Sequence, residues 1–95
     1  MKKLAWHELK AILPEGSLVA GVVLKHEPYG VFVDIGHGYS GIIQITDFND
    51  HGVVNPNDYP PVGTRLLTRV LGFKDHGFQV WLGVKPSQMC ESQNL

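Results

Sequence analysis

Tyr29 and Phe32 flank Gly30 in the segment EPYGVFVDIGHGYSGIIQITDF, and Gln44 sits further along it between Ile43 and Ile45. Aromatic rings turned outward from a strand stack on unpaired nucleobases of any identity, and an amide both donates and accepts hydrogen bonds at base edges. These residue types in one segment point to a platform for unstacked bases. Strict strand alternation would send Tyr29 and Phe32 to opposite faces. A glycine inside a strand commonly marks a bulge, and a bulge at Gly30 would return both rings to one side. The competing reading is ordinary packing, with the rings covering one end of the fold.

A polyanion also needs cations. The chain has 95 residues and a net charge of −1, so its positive charge has to be gathered on one face to be of use. Lys25, Arg65, Arg69, Lys74 and Lys85 all fall in or beside the expected strands. By alternation Arg65 and Arg69 share one side of their strand, opposite Leu66, Thr68 and Val70. Three or so phosphate contacts give a log–log salt slope of only about −2 for a single strand. Two stacked bases add ~1–3 kcal/mol each, and Asp34 beside Phe32 opposes them. The expectation is weak to moderate affinity for a single-stranded nucleic acid.

Other chemistries find little support. Asp47, Asp50 and His51 lie close together in "DFNDHG", but their spacing matches no strong metal-ligand motif. His26, His37 and His76 fall in turns. Gly36 and Gly38 precede no helix and so make no phosphate loop. Cys90 has no basic neighbour to activate it and no second cysteine to pair with. No catalytic set converges, so the expectation is a non-enzymatic protein with no metal and no cofactor. A single cysteine suits a reduced, cytoplasmic setting. No apolar run approaches the ~20 residues that span a bilayer, and Trp6, His7, Glu8 and Lys10 interrupt what would be the apolar part of a signal peptide.

The elements that must position these residues follow from periodicity. Ala5, Trp6, Leu9, Ile12 and Leu13 form one helical stripe, which Pro14 and Gly16 stop. The period then changes to two. "SLVAGVVLK", "YGVFVDI", "YSGIIQI", "TRLLTRVLGF" and "FQVWLGV" read as five strands, with "GHG" and "KDHG" as turns. "TDFNDHGVVNPNDYPPVG" is a long excursion between the third and fourth. The fold class expected is all-β: a five-stranded barrel of OB type with a short N-terminal helix. Trp81 points out of that barrel by alternation; packing beneath the helix with Trp6 is its first expected role, ahead of stacking a base or anchoring a protein partner. "KPSQMCESQNL" lacks periodicity and reads as a frayed tail.

The frame "GSLVAGVV…YGVFVDIGHGYSGIIQITDF…VGTRLLTRVLGF…VWLGVKPS" resembles an S1 RNA-binding domain, with Gly16, Gly21, Gly30, Gly36, Gly41 and Gly63 spaced as in that family. The resemblance divides the chain into a helical leader at 1–14, a barrel at 15–86 and a flexible tail at 87–95. It implies an RNA face with Tyr29 and Phe32 as the second-strand aromatics. It places Gln44 where the family usually has histidine, and Arg69 as the basic residue of the fourth strand. Lys74 or Asp75 falls near the usual aspartate, Phe78 or Gln79 near the usual basic residue, and Lys85 closes the pattern as "LGVK" in place of "LSxK". Tyr29, Phe32, Gln44, Arg69, Lys74 and Lys85 are therefore the expected RNA-binding residues. The alternative is a protein–protein interaction module on the same barrel, in ribosome- or RNA-associated regulation, which the near-neutral charge, the missing histidine and Trp81 favour.

Overall fold

The computed structural model describes residues 3–90. Its elements are α1 (Trp6–Ile12), β1 (Leu18–Glu27), β2 (Gly30–Asp34), β3 (Ser40–Gln44), a 3₁₀ turn (Pro56–Asp58), β4 (Arg65–Lys74), β5 (Gln79–Gly83) and α2 (Pro86–Met89). The five strands close into a barrel in the order β1-β2-β3-β5-β4. Every pairing is antiparallel except that of β3 with β5. Closure removes both sheet edges. Alternation turns Val23, Val31, Val33, Ile43, Val70, Val80 and Leu82 into the interior. Thr68, the one fully buried polar side chain among them, donates its hydroxyl to the Val19 carbonyl at 2.8 Å.

Each open end of the barrel is plugged by a segment outside the sheet. At the end carrying the β2–β3 and β4–β5 turns, α1 lowers Leu9, fully buried, onto the core. Trp6 packs its ring against Tyr39, Phe73 and Phe78, at centroid distances of 5.4, 5.9 and 5.6 Å. Its indole N–H donates to Asp75 at 2.7 Å, Lys10 bridges the same carboxylate at 2.9 Å, and the Tyr39 hydroxyl donates to the Leu4 carbonyl. At the other end the long β3–β4 excursion brings in Tyr59, whose ring lies against Phe48 and His26 and whose hydroxyl donates to the Glu27 carbonyl at 2.7 Å.

Two expectations need correction. The bulge is not at Gly30, since β2 pairs with β3 in unbroken register from Gly30↔Gln44 to Asp34↔Ser40. Gly30 is required for space, because a Cβ there would lie 2.4 Å from the Ile43 carbonyl oxygen. The bulges fall across the barrel instead, where β1 and β4 slip register at Val23/Lys25 and Val70/Gly72. The tail from 87 is also not frayed at its start. Ser87–Cys90 continue into the helical turn α2 and its cap, while 91–95 lie outside the described residues.

No helix among the described residues is long and apolar enough to cross a membrane. Leu9→Ala should cost about 2–5 kcal/mol, as expected for a leucine buried without room for collapse, read as a lower urea midpoint. The Trp6 and Lys10 hydrogen bonds hold the Asp75 carboxyl below its usual 3.8, so the fold favours its ionised form. That contribution is complete above 3.8 and fades as pH falls through the lower folded-state value. In a Trp81→Phe background, Trp6 emission should shift only on acidification below that range, and Asp75→Asn should give the shifted emission at neutral pH.

Candidate nucleic-acid interface

The bulges decide which side chains face outward. Leu24 is the extra residue in β1: Val23 stands opposite Val33, and the next paired residue, Lys25, stands opposite Phe32. Without it Lys25 would share the inward face of Val23. Leu71 does the same in β4, so that Gly72 stands opposite Trp81 and Lys74 opposite Gln79. Both lysines are thereby turned onto the outer wall.

Between them runs one cross-strand row. Lys25 pairs with Phe32, Phe32 with Ile42, Ile42 with Trp81 and Trp81 with Gly72. Ile42 points away from the core yet is only 3% exposed, as an aliphatic residue set between two aromatic neighbours should be. Strand spacing puts Phe32 and Trp81 about 10 Å apart at their Cα atoms. Tyr29 joins from the two-residue turn between β1 and β2, where strand alternation does not constrain it. Its ring is 53% exposed and meets Phe32 edge-on, with centroids 6.2 Å apart and planes at 83°. The rings form a corner, not a flat shelf.

Cations border this apolar strip. The Lys25 ammonium lies 4.9 Å from the Phe32 ring centroid and 3.2 Å from Glu27. The Lys74 ammonium lies 6.0 Å from the Trp81 ring and 3.4 Å from the Gln79 amide oxygen. Gln44 is exposed on the same wall, opposite the bare Gly30. Tyr29, Phe32, Gln44 and Lys74 are thus brought to one face.

Arg69 and Lys85 are placed elsewhere. The Arg69 guanidinium donates to the carbonyls of Gly16 at 2.7 Å, Gln88 at 2.7 Å and Met89 at 3.4 Å, which ties α2 to the turn before β1. Lys85 caps the start of α2, its N–H donating to the Gln88 side chain. Its charge acts on Asp50, whose carboxyl is held below its usual value first by hydrogen bonds from Ser87, then by Lys85 and His51. Asp47 accepts from Gln88 at 3.0 Å, so the acidic loop residues dock α2.

Two members of the strip were not among the expected site residues. Lys25 counted only as one cation among several, and for Trp81 packing under the helix was placed ahead of stacking a base or anchoring a protein partner. Among the described residues, the rings around Trp6 are Tyr39, Phe73 and Phe78, and Trp81 stands in the outer row. The signal for Trp81 was its outward parity in β5; the parallel pairing that sets it beside Ile42 leaves no local trace.

The S1 RNA binding domain profile matches residues 12–85. The chain belongs to that family. It is 38% identical over 81 residues to the small ribosomal subunit protein bS1 of Neisseria meningitidis serogroup B, covering 82% of this chain and 14% of that protein. The bS1 protein of Coxiella burnetii is 38% identical over 73 residues, covering 77% and 13%. The chain therefore spans about one-seventh of the length of these relatives. Among solved structures, GSP13 from Bacillus subtilis superposes with a TM-score of 0.71 at 20% identity, covering 100% of this chain and 67% of that one. A chain of the a/eIF2alpha-aDim2p-rRNA complex from Pyrococcus horikoshii OT3 gives 0.66 at 22%, covering 78% and 47%. These structural likenesses show the S1-type barrel.

Arg69→Met removes a charged donor from several backbone carbonyls and should lower stability by about 2 kcal/mol, measured by urea unfolding. Arg69→Lys should recover little of it, because one ammonium cannot span the carbonyls that the planar fork reaches.

Proposed function

We propose that this chain is a non-catalytic module that binds single-stranded RNA on the outer wall of β1, β2, β3 and β5. The observation that carries this reading is the row Lys25–Phe32–Ile42–Trp81, with Tyr29 at its corner and Lys74 at its far edge. The exposed Tyr29 ring and the half-buried Phe32 and Trp81 rings take bases without regard to sequence, Gln44 adds an amide to a base edge, and the two lysines meet phosphodiesters. Membership of the S1 family, relatives named as ribosomal proteins and a structural neighbour in a complex that contains rRNA all support it. The setting that suits it is cytoplasmic and ribosome-associated.

Two phosphate contacts give a log–log salt slope of about −1.4. Stacking, at ~1–3 kcal/mol per base, then supplies most of the affinity. The isolated module should bind weakly, and the aromatic row should matter more than any one cation.

A protein partner is the second reading. Leu18 and Leu67 are 43% and 56% exposed on the outer face of β1 and β4, an apolar surface away from the aromatic row.

Fluorescence anisotropy of a labelled eight-nucleotide uridine oligomer tests the RNA reading. Phe32→Ala should weaken binding about 5- to 150-fold, the equivalent of ~1–3 kcal/mol for one lost stack. Lys74→Gln should lower the salt slope by ~0.7 with a smaller loss of affinity. Absence of binding at low salt by the folded protein would overturn the reading in favour of the protein partner.

A further inference from the structure

A second feature of the outer wall lies beside the aromatic row. Where β1 passes between the end of β2 and the start of β4, Ala20, Val22, Asp34, Ile35, Gly36 and Arg65 line a cleft of about 250 Å³. That is below the ~300–1,000 Å³ of pockets that enclose drug-sized ligands, a scale that suits one nucleotide of a longer strand lying across an open cleft.

The register fixes what faces this space. Arg65 pairs with Val22 and Val22 with Asp34, so the three project outward side by side. The guanidinium and the carboxylate stand on either side of an apolar residue, with their Cα atoms two strand spacings, or about 10 Å, apart. They form no ion pair with each other: the salt bridges among the described residues are Lys10–Asp75 and Lys25–Glu27. Asp34 accepts a hydrogen bond from the Gly36 N–H through Oδ1 at 2.9 Å, which fixes the carboxylate and leaves it further acceptor sites. Gly36, at φ 82, contributes no side chain, and the space where its Cβ would stand is open.

The cleft thus offers an anion site at one side and an oriented, acceptor-only group at the other. An ionised carboxylate can use only donors. On the Watson–Crick edge guanine alone presents two adjacent donors, N1–H and the 2-amino group. Adenine and cytosine pair one donor with a neighbouring acceptor, and uracil places its single donor between two acceptors. Asp34 also lies two residues along β2 from Phe32, about 7 Å away on the same face, so a strand leaving the aromatic row runs into the cleft.

We propose that this cleft is a guanine-selective nucleotide subsite, with Asp34 accepting from the base edge and Arg65 holding the phosphodiester. It rests on the RNA reading of the aromatic row and adds base preference to it. The acidic residue that opposes a polyanion in general becomes the group that chooses the base.

The experiment measures anisotropy for three eight-nucleotide RNAs: all uridine, uridine with one central guanosine, and uridine with one central inosine, which lacks the 2-amino group. The folded wild-type protein should bind the guanosine oligomer about 5- to 10-fold more tightly than the uridine one, with inosine between them. Asp34→Asn, which keeps an acceptor for Gly36, should erase that difference while leaving all-uridine binding equal or tighter. Arg65→Gln should keep the preference and lower the salt slope by ~0.7. Equal binding of the three RNAs by the wild type, or a preference that survives in Asp34→Asn, overturns the subsite. If Phe32→Ala still weakens uridine binding in that case, the aromatic row stands alone. If none of the three binds, both readings fall together.

Discussion

Leu24 and Leu71 have no partner across the ladder, and the character of the outer wall depends on that. A strand has only two faces, so a side chain meant for solvent at one end of a long strand and a core residue in its middle must agree in parity. In β1 and β4 they do not agree: Val23 and Lys25 are two apart, as are Gly72 and Val70, and alternation would drive both later residues inward. One inserted residue per strand settles the conflict. It keeps the valines in the core and delivers Lys25 and Lys74 to opposite borders of the same aromatic strip. The inserted residue also increases local twist, which a barrel of five short strands needs in order to close.

Cations on this barrel divide into those that hold segments against the sheet and those on its outer wall, a division that sequence position does not show. Arg69 satisfies the carbonyls of a helical turn and of the chain entering β1. Lys10 shares Asp75 with the Trp6 indole. Lys85 stands at the start of α2 beside Asp50. Each holds a segment outside the sheet against it. Lys25, Lys74 and Arg65 lie on the outer surface of the barrel wall. They share that wall with Glu27, which bridges Lys25, and with the exposed Asp34, so the net charge of −1 does not describe any one patch.

The barrel and its N-terminal helix were legible because their signals are local. A stripe at helical spacing ends at Pro14, and runs of β-branched residues alternate between glycines placed at turns. The outward emergence of Tyr29 and Phe32 was legible too, but for the wrong cause. Tyr29 escapes alternation by standing in a turn, while Gly30 is glycine because β3 passes too close for a Cβ. What sequence could not carry was contact between distant segments. Nothing near Arg69 announces the α2 carbonyls, nothing near Trp81 announces Ile42, and the helical turn that Pro86 and the Lys85–Gln88 cap begin is docked by Asp47, Asp50 and Arg69 from far along the chain.

The parallel ladder of β3 on β5 has a kinetic meaning. Hairpins β1–β2, β2–β3 and β4–β5 join neighbours in sequence, whereas β1 must find β4, and Ser40–Ile43 must find Gln79–Leu82, across the whole excursion. Contacts of such long separation repay their loop-closure entropy late. Until that seam zips, β3 is an open edge and Ile42 lies bare beside Phe32. On a ribosome, Trp81 would join Phe32 and Ile42 only after β5 has left the exit tunnel, so the outer row is completed by the same step that seals the cylinder.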